Sequence, residues 1–272
     1  MTRRPYTPNK RPPPQEFGAG HVLVGGVHAV AAVIETGRAR AVLIRSGARE
    51  ARLTAVLDRA HARGIRIQEL SPEQFDQEAP TDLNHQGILA EARPLEVQPE
   101  NALGPWLEPL SNPLVLVLDG VTDPHNLGAC LRSAEAFGCA GVIVPKDGSA
   151  PLNQVARKTA SGAAELIPIF RVTNLARCLR QLQRDGFWVI GAAGEAADGL
   201  TQAVHAGPMV LVMGGEGSGL RRLTRETCDH LVSIPMAGRM ESLNVSVATG
   251  VLLYGIQTLR GKLGQSHPEG VL

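Results

Sequence analysis

The apolar positions of this chain fall into two regimes. From Val22 to about Arg93, short apolar runs alternate with stretches of helical period. Residues 26–35 put small and apolar side chains on one helical face, and residues 40–44 read as a strand. Over residues 50–63, Leu53, Val56, Leu57 and Ala60 recur at helical spacing, and Gly64 supplies the stop. Residues 65–67 and 87–92 predict two further strands. From Leu114 onward the alternation is stronger. Residues 114–118 form a continuous apolar run, as in a strand buried on both faces. Further strands are predicted over 141–144, 166–170, 187–191, 209–213 and 231–234, and helices over 126–137, 151–160, 175–184 and 243–260. Such β-α alternation predicts an α/β fold: a parallel sheet with helices on both faces, preceded by a compact α/β unit of its own.

Two stretches break the pattern. Residues 1–17 are rich in Pro and basic side chains and predict a disordered basic tail. Within it, Arg3, Arg4, Lys10 and Arg11 are candidates to touch nucleic-acid phosphate. Residues 96–112, crowded with Pro99, Gly104, Pro105 and Pro109, predict a linker with little regular structure, which Trp106 could pin to a domain. The chain thus divides into a tail (1–17), a small domain (18–95), a linker (96–112) and a larger domain (113–272).

Charge changes the picture only locally. The formal net charge is +1, so any surface for a polyanion must come from clustered arginines. Candidates are Arg157 with Lys158, Arg171, the group Arg177, Arg180 and Arg184, and the group Arg221, Arg222 and Arg225. Aromatic residues make up 3%, which argues against an RNA platform of several stacked rings. Cys130, Cys139, Cys178 and Cys228 form no C-x-x-C pair and have no histidine at ligand spacing, so buried reduced thiols are expected and no metal site. No apolar run reaches about 18 residues, and the basic N-terminus has no apolar core behind it. The expectation is a cytoplasmic protein with no membrane span.

The candidate chemistry lies in three segments, each where an apolar run gives way to a loop or helix. They are residues 118–133 (LDGVTDPHNLGACLRS), residues 213–220 (MGGEGSGL), and residues 234–238 (IPMAG) followed by 242–248 (SLNVSVA). Loops at strand ends converge on one edge of a parallel sheet, so three of them suggest one composite site. The glycines at 214–219 nearly match a dinucleotide-binding turn, but the spacing is not G-x-G-x-x-G and the position is late in the domain. There is no G-x-x-x-x-G-K-[ST] segment for a nucleoside triphosphate. A plain glycine turn would not need Glu216 in its midst. Asn126 has the look of a helix N-cap, and Asn244 and Ser246 could cap the final helix. Their occurrence together with Arg132 and the two glycine-rich turns favours a reaction centre.

These segments resemble the three signature motifs of the SpoU (TrmH) branch of the SPOUT RNA methyltransferases: an Asn with a following Arg, a G-x-E-G turn, and I-P-M…S-L-N-V-S. The resemblance covers Leu114 to the C-terminus. Residues 18–95, through His28 and the segment 85–88 (HQGI), resemble the L30e-like RNA substrate-binding domain found in several members. The whole length is similar to members that methylate the 2′-hydroxyl of the P-loop guanosine in 23S ribosomal RNA. The resemblance implies a parallel sheet closed by a C-terminal trefoil knot, S-adenosyl-L-methionine as cofactor, and a homodimer with the site at the subunit interface. By motif, Gly214, Ile234, Leu243 and the strand end at Gly194 would hold the cofactor. Asn126, Arg132, Glu216, Asn244 and Ser246 would line the reaction centre, with 23S ribosomal RNA or a large-subunit precursor as partner. The branch assigns the proton to the motif arginine, here Arg132. A guanidinium normally stays charged, so it can instead stabilise the developing alkoxide or fix a phosphate. Two alternatives remain: a transfer RNA target, and a non-catalytic RNA-binding assembly factor.

Overall fold

The computed structural model describes residues 21–47, 51–80 and 83–261. The basic tail, with Arg3, Arg4, Lys10 and Arg11, lies outside the described residues, as does the chain beyond residue 261.

The first domain runs β1 (Val22–Gly25), α1 (Val27–Glu35), β2 (Ala39–Arg45), α2 (Ala51–Ala62), β3 (Arg66–Leu70), α3 (Pro72–Glu78) and β4 (Ile88–Ala92). Its sheet has the order β1-β4-β2-β3, with β4 antiparallel to both neighbours and β2 parallel to β3. Side chains of a strand alternate between faces, and the two faces are covered differently. Val42 and Ala90 pack under α1 and α2 with Val33, Val56 and Ala60. Leu43 and Leu89 pack on the opposite face against Phe75 of α3. Neither β1 nor α3 was evident from periodicity. Helix α3 nevertheless carries a start signal: Ser71 accepts from the Gln74 backbone N–H while the Gln74 side chain accepts from that of Ser71.

The segment expected to be an irregular linker is ordered. It holds β5 (Gln98–Pro99), a 3₁₀ turn (Glu100–Ala102) and α4 (Leu103–Leu107). Prolines do not prevent this, because Pro99 sits on a sheet edge and Pro105 in the first turn of a helix, where no N–H is needed. Leu103 and Leu107 are buried, and the Trp106 indole N–H donates to the Ala140 carbonyl at 2.8 Å, which pins the segment to the second domain.

The second domain continues with β6 (Leu114–Asp119), α5 (Pro124–Ala136), β7 (Gly141–Pro145), α6 (Gln154–Ala160), β8 (Ile169–Val172), α7 (Leu175–Arg184), β9 (Trp188–Ala192), α8 (Leu200–Ala203), β10 (Met209–Gly214), α9 (Arg222–Thr227), β11 (His230–Val232) and α10 (Val245–Leu259). The strands order as β11-β9-β10-β6-β7-β8-β5, every pair parallel. Along β6, Leu114, Leu116 and Leu118 face α5, α6 and α10, while Val115 and Val117 face α4 and α7. Helix α6 begins later than its periodicity suggested, because Asn153 caps it by accepting from Ala156 N–H at 3.1 Å. Residues 163–165 form a 3₁₀ turn, so β8 starts at Ile169 rather than at 166.

The chain runs outward from β6 to β8, then returns to lay β9 and β10 on the other side of β6. The order therefore reverses between β6 and β10, and ligands of open α/β sheets settle beyond the strand ends at such a point.

The two domains meet through α1 and the turn after α6. Gly162 lies against the His28 backbone so closely that an added Cβ would stand 3.0 Å from the His28 carbonyl. Beside it, the buried carboxylate of Glu165 binds Arg38 from the first domain through one oxygen and Arg157 through the other.

Candidate functional site

A cavity of about 690 Å³ opens at the C-terminal ends of β9, β10 and β11. This is the size range of small-molecule sites, roughly 300–1,000 Å³. Its walls are the loop after β9 (Ala192, Ala193, Gly194), the turn after β10 (Gly214 to Gly219), the segment after β11 (Ser233 to Met236), and residues 241–245 entering α10. Val232, Ala248 and Leu252 supply apolar lining.

The turn after β10 owes its shape to glycine. Gly215 and Gly219 exchange backbone hydrogen bonds at 3.2 and 3.0 Å, closing a tight loop around Glu216. A Cβ on Gly214 would collide with the Gly219 backbone, and one on Gly215 with the Gly120 carbonyl. Gly219 itself takes φ +63°, which L side chains adopt only at a cost. The turn is thereby pressed against the loop after β6, where Asp119, fully buried, accepts the Arg221 backbone N–H at 2.9 Å.

Three motif residues meet at one edge of the cavity, Glu216 and Asn244 in its lining and Asn126 bonded to both from behind. The Asn126 amide donates to Glu216 Oε1, and the Asn244 amide donates to the same oxygen at 3.0 Å and to Asn126 Oδ1 at 3.0 Å. Ser246 holds Asn244 in this orientation: its N–H and its hydroxyl both donate to Asn244 Oδ1, at 2.9 and 2.6 Å. Ser246 thus acts through Asn244 and does not line the cavity. The N-cap of α5 is Asp123, followed by Pro124, and not Asn126. Asn126 sits inside the first turn with its side chain buried toward the site, which frees its amide for Glu216. Asn244 does cap α10.

All four residues expected to hold a cofactor, Gly194, Gly214, Ile234 and Leu243, line the cavity. Arg132 does not. It lies exposed two turns further along α5, and its guanidinium donates to Ser161 Oγ at 3.4 Å. Met213 and Ala248, which lie within the candidate segments, also line the cavity, as do Glu241 and Leu252, which lie outside them. The signal that could have found Leu252 was its spacing with Val245 and Ala248 on one face of α10.

The cavity has a distinct charge character. Among the described residues, its lining includes the carboxylates Glu216 and Glu241 and no Lys, Arg or His. Such a site favours a ligand with a positive centre and disfavours a diphosphate. That argues on chemistry against the dinucleotide reading of the glycine turn, and it fits a sulfonium cofactor such as S-adenosylmethionine. Below the site, burial pushes the Cys130 thiol up to about 11; its contact with Thr249 opposes the shift and the Glu216 charge adds to it. Burial likewise pushes Cys139, Cys178 and Cys228 up to about 12. All four thiols are free. Among the described residues, no group of three His, Cys, Asp or Glu side chains is placed to hold a metal ion, and no helix is long and apolar enough to cross a membrane.

Most of the arginine candidates are occupied. Arg157 pairs with Glu165, Arg177 with Glu100, Arg221 with Asp119, Arg222 with Glu226 and Arg225 with Glu195. Lys158, Arg171, Arg180 and Arg184 have no carboxylate partner among the described residues.

Known proteins share this arrangement. The SpoU rRNA Methylase family matches residues 113–254, and the family described as RNA 2′-O ribose methyltransferase substrate binding matches residues 23–98. The 23S rRNA (guanosine-2′-O-)-methyltransferase RlmB of Vibrio cholerae is 52% identical over 234 residues, 85% of this chain and 94% of that protein. The protein of the same name from Escherichia coli is 50% identical over 234 residues, 85% of this chain and 96% of its own length. Among solved structures, the SpoU methyltransferase AviRb from Streptomyces viridochromogenes in complex with AdoMet superposes with a TM-score of 0.67 at 25% identity, covering 90% of this chain and 92% of that one. The TrmH/SpoU tRNA modifying enzyme of A. aeolicus superposes with a TM-score of 0.51 at 29% identity, covering 61% of this chain and 85% of its own. With its motif residues gathered at the switch point of a parallel sheet and these likenesses along most of its length, the chain belongs to the SpoU rRNA methylase family.

Proposed function

We propose that this protein transfers a methyl group from S-adenosyl-L-methionine to the ribose 2′-hydroxyl of a guanosine in 23S ribosomal RNA, the P-loop guanosine being its target. The observation that carries the reading is the anionic cavity at the strand ends, whose lining residues Glu216 and Asn244 are bonded to each other and to Asn126. The names of the relatives from Vibrio cholerae and Escherichia coli support the same substrate.

When bound, S-adenosylmethionine supplies an electrophilic methyl group on a positively charged sulfur. The backbone around Gly194, Gly214, Ile234 and Leu243 holds it, and the carboxylates of Glu216 and Glu241 complement its charge. Asn126 and Asn244 lock one oxygen of Glu216, leaving the other without a bond from the described residues. That second oxygen is the proton acceptor in this reading. Fixing the hydroxyl in line with the reacting bond is the largest contribution available, up to roughly 7–11 kcal/mol for a well-oriented pair.

Arg132 stands apart from this cluster in the single chain, and a homodimer resolves the separation. Val247, Val251 and Tyr254 recur on one face of α10 and are 52%, 44% and 56% exposed, an apolar stripe suited to a second copy. A second copy's Arg132 then enters the site and stabilises the developing alkoxide. Residues 18–95 act as the L30e-like RNA-binding domain, and 96–112 join it to the catalytic domain of 113–272. The reading includes the trefoil knot of the branch and a cytoplasmic location.

A transfer RNA target is less well supported, since the A. aeolicus enzyme spans only 61% of this chain. An inert assembly factor would have no need of the bonded Asn126–Glu216–Asn244 cluster. The test is to map 2′-O-methyl marks in ribosomal RNA from a strain lacking the gene. One guanosine mark in 23S rRNA should disappear and return on complementation. An unchanged set of marks would sink the proposal.

A further inference from the structure

A second, smaller hollow lies between the two domains, about 150 Å³ against 690 Å³ for the strand-end cavity. One wall comes from the start of α1 and the loop before β4, with His28, Asn84 and Gln86. The other comes from α6 and the turn after it, with Lys158 and Ser161.

Backbone strain concentrates here. Among the described residues, three non-glycine positions have positive φ: Gln86 (51°), Asn112 (48°) and Ser161 (49°). Two of the three line this cleft, one on each wall. Such conformations persist only where the surroundings enforce them, and they gather at functional sites. Both side chains are tethered. Gln86 Oε1 accepts the Val27 N–H at 3.0 Å, so the amide nitrogen of Gln86 remains available as a donor. Ser161 Oγ accepts from the Arg132 guanidinium at 3.4 Å, which joins the cleft directly to the motif arginine.

The junction around the cleft is rigid. Glu165 is saturated by Arg38 and Arg157, and Gly162 abuts the His28 backbone. Among the described residues lining the cleft, Lys158 has no carboxylate partner and the Asn84 side chain makes no hydrogen bond. Carboxamides present a donor and an acceptor together, the complement of a nucleobase edge, and an ammonium complements one phosphate. Single-stranded RNA exposes both groups, whereas a duplex hides its base edges.

We propose that the interdomain cleft receives one unpaired base of the RNA substrate, read by the amides of Asn84 and Gln86, with the adjoining phosphate held by Lys158 at its edge. The proposal rests on the RNA methyltransferase reading and adds a specificity site to it.

The test uses the full-length protein, a ribosomal RNA fragment containing the methylated guanosine, and a panel with single base changes at each flanking unpaired position. Three variants are compared: Asn84→Ala, Lys158→Ala and Ser161→Gly. Ser161→Gly suits the left-handed backbone, so its fold is secure whatever its activity. Asn84→Ala should raise KM for RNA about tenfold and flatten the base preference at one flanking position, by analogy with one lost polar contact. Lys158→Ala should weaken all RNAs alike and reduce the slope of log affinity against log salt by about 0.7. Ser161→Gly should lower kcat without lowering Tm. Cofactor affinity, measured by calorimetry with S-adenosylmethionine alone, should stay within about twofold in all three, because the cleft is separate from that cavity. Wild-type KM, salt slope and base preference in the variants would overturn the cleft assignment while leaving the methyltransferase reading intact. A wild-type protein that methylates none of the RNAs would bring down both.

Discussion

The two hollows of this molecule carry opposite charge. Among the described residues, the strand-end cavity is lined by Glu216 and Glu241 with no basic side chain. The interdomain cleft is lined by Arg157 and Lys158, and its carboxylate, Glu165, is already consumed by two arginines. A net charge of +1 averages this contrast away. The lesson is that selection for a cation and for a polyanion can coexist in one nearly neutral chain when each is confined to its own recess. The backbone differs as well. Both depend on close approach at glycine, but around the cavity the positive-φ positions are glycines, 217 and 219, whereas the cleft also places L residues in left-handed conformations at 86 and 161.

The largest test of this contrast removes the charge balance of the junction. Glu165→Ala strands Arg38, whose side chain is 12% exposed, beside Arg157. Loss of one partner of a buried pair should destabilise the protein by about 3 kcal/mol. A urea midpoint equal to wild type would mean that apolar packing alone holds the domains together. Next comes Arg132→Ala, which should slow methylation by about 10² or more, near 2.7 kcal/mol. Calorimetry should show unchanged cofactor binding, since Arg132 of the same chain does not line the cavity and the second copy's acts on the alkoxide rather than on the cofactor. Turnover at the wild-type rate would remove Arg132 from the chemistry.

Glu216→Gln is subtler. The substituted amide can still offer an oxygen to Asn126 and Asn244, so the turn keeps its bonds while the cavity loses one negative charge. S-adenosylmethionine should bind about tenfold more weakly, roughly 1.4 kcal/mol. Undiminished affinity would show that the charge of the cavity is incidental. The smallest effect concerns the thiols buried in the larger domain. Burial raises the four thiols from an ordinary value of 9.0 to about 11 for Cys130 and about 12 for the others. The folded state therefore keeps protons that the unfolded chain releases. The thiol contribution is complete well below pH 9, begins to fall as the unfolded thiols ionise near that value, and is lost as pH rises toward 11 to 12. Between pH 8 and 9 the loss should be roughly 0.3 kcal/mol per thiol, read as a falling urea midpoint. A midpoint that rises over this range would contradict the burial of these groups.

Periodicity predicted the elements with strong patterns and failed where they were short or punctuated. Helix α7 follows its apolar spacing from Leu175 to Arg184, and β6 its unbroken apolar run. Two short helices, α8 and α9, carry too few turns to show a period. The segment 96–112 misled because its prolines read as punctuation, whereas they occupy an edge strand and a first helical turn, where proline is tolerated. Asn126 misled in the other direction. Its residue type suits a cap, but Asp123 and Pro124 start the helix, so Asn126 turns inward to the site.

The sequence by itself determined the α/β class, the parallel character of the larger sheet and the identities of the motif side chains, because alternation, apolar runs and glycine spacing are local properties. Tertiary structure alone decided which of those side chains meet. Asn126 and Glu216 lie 90 residues apart and Asn126 and Asn244 lie 118 apart, yet they share hydrogen bonds, while Arg132, six residues beyond Asn126, reaches Ser161 instead. The physical reason is that such meetings depend on the order in which strands pack and on the face each helix turns to its neighbour. Local periods leave that order open, and burial across the whole sheet selects it.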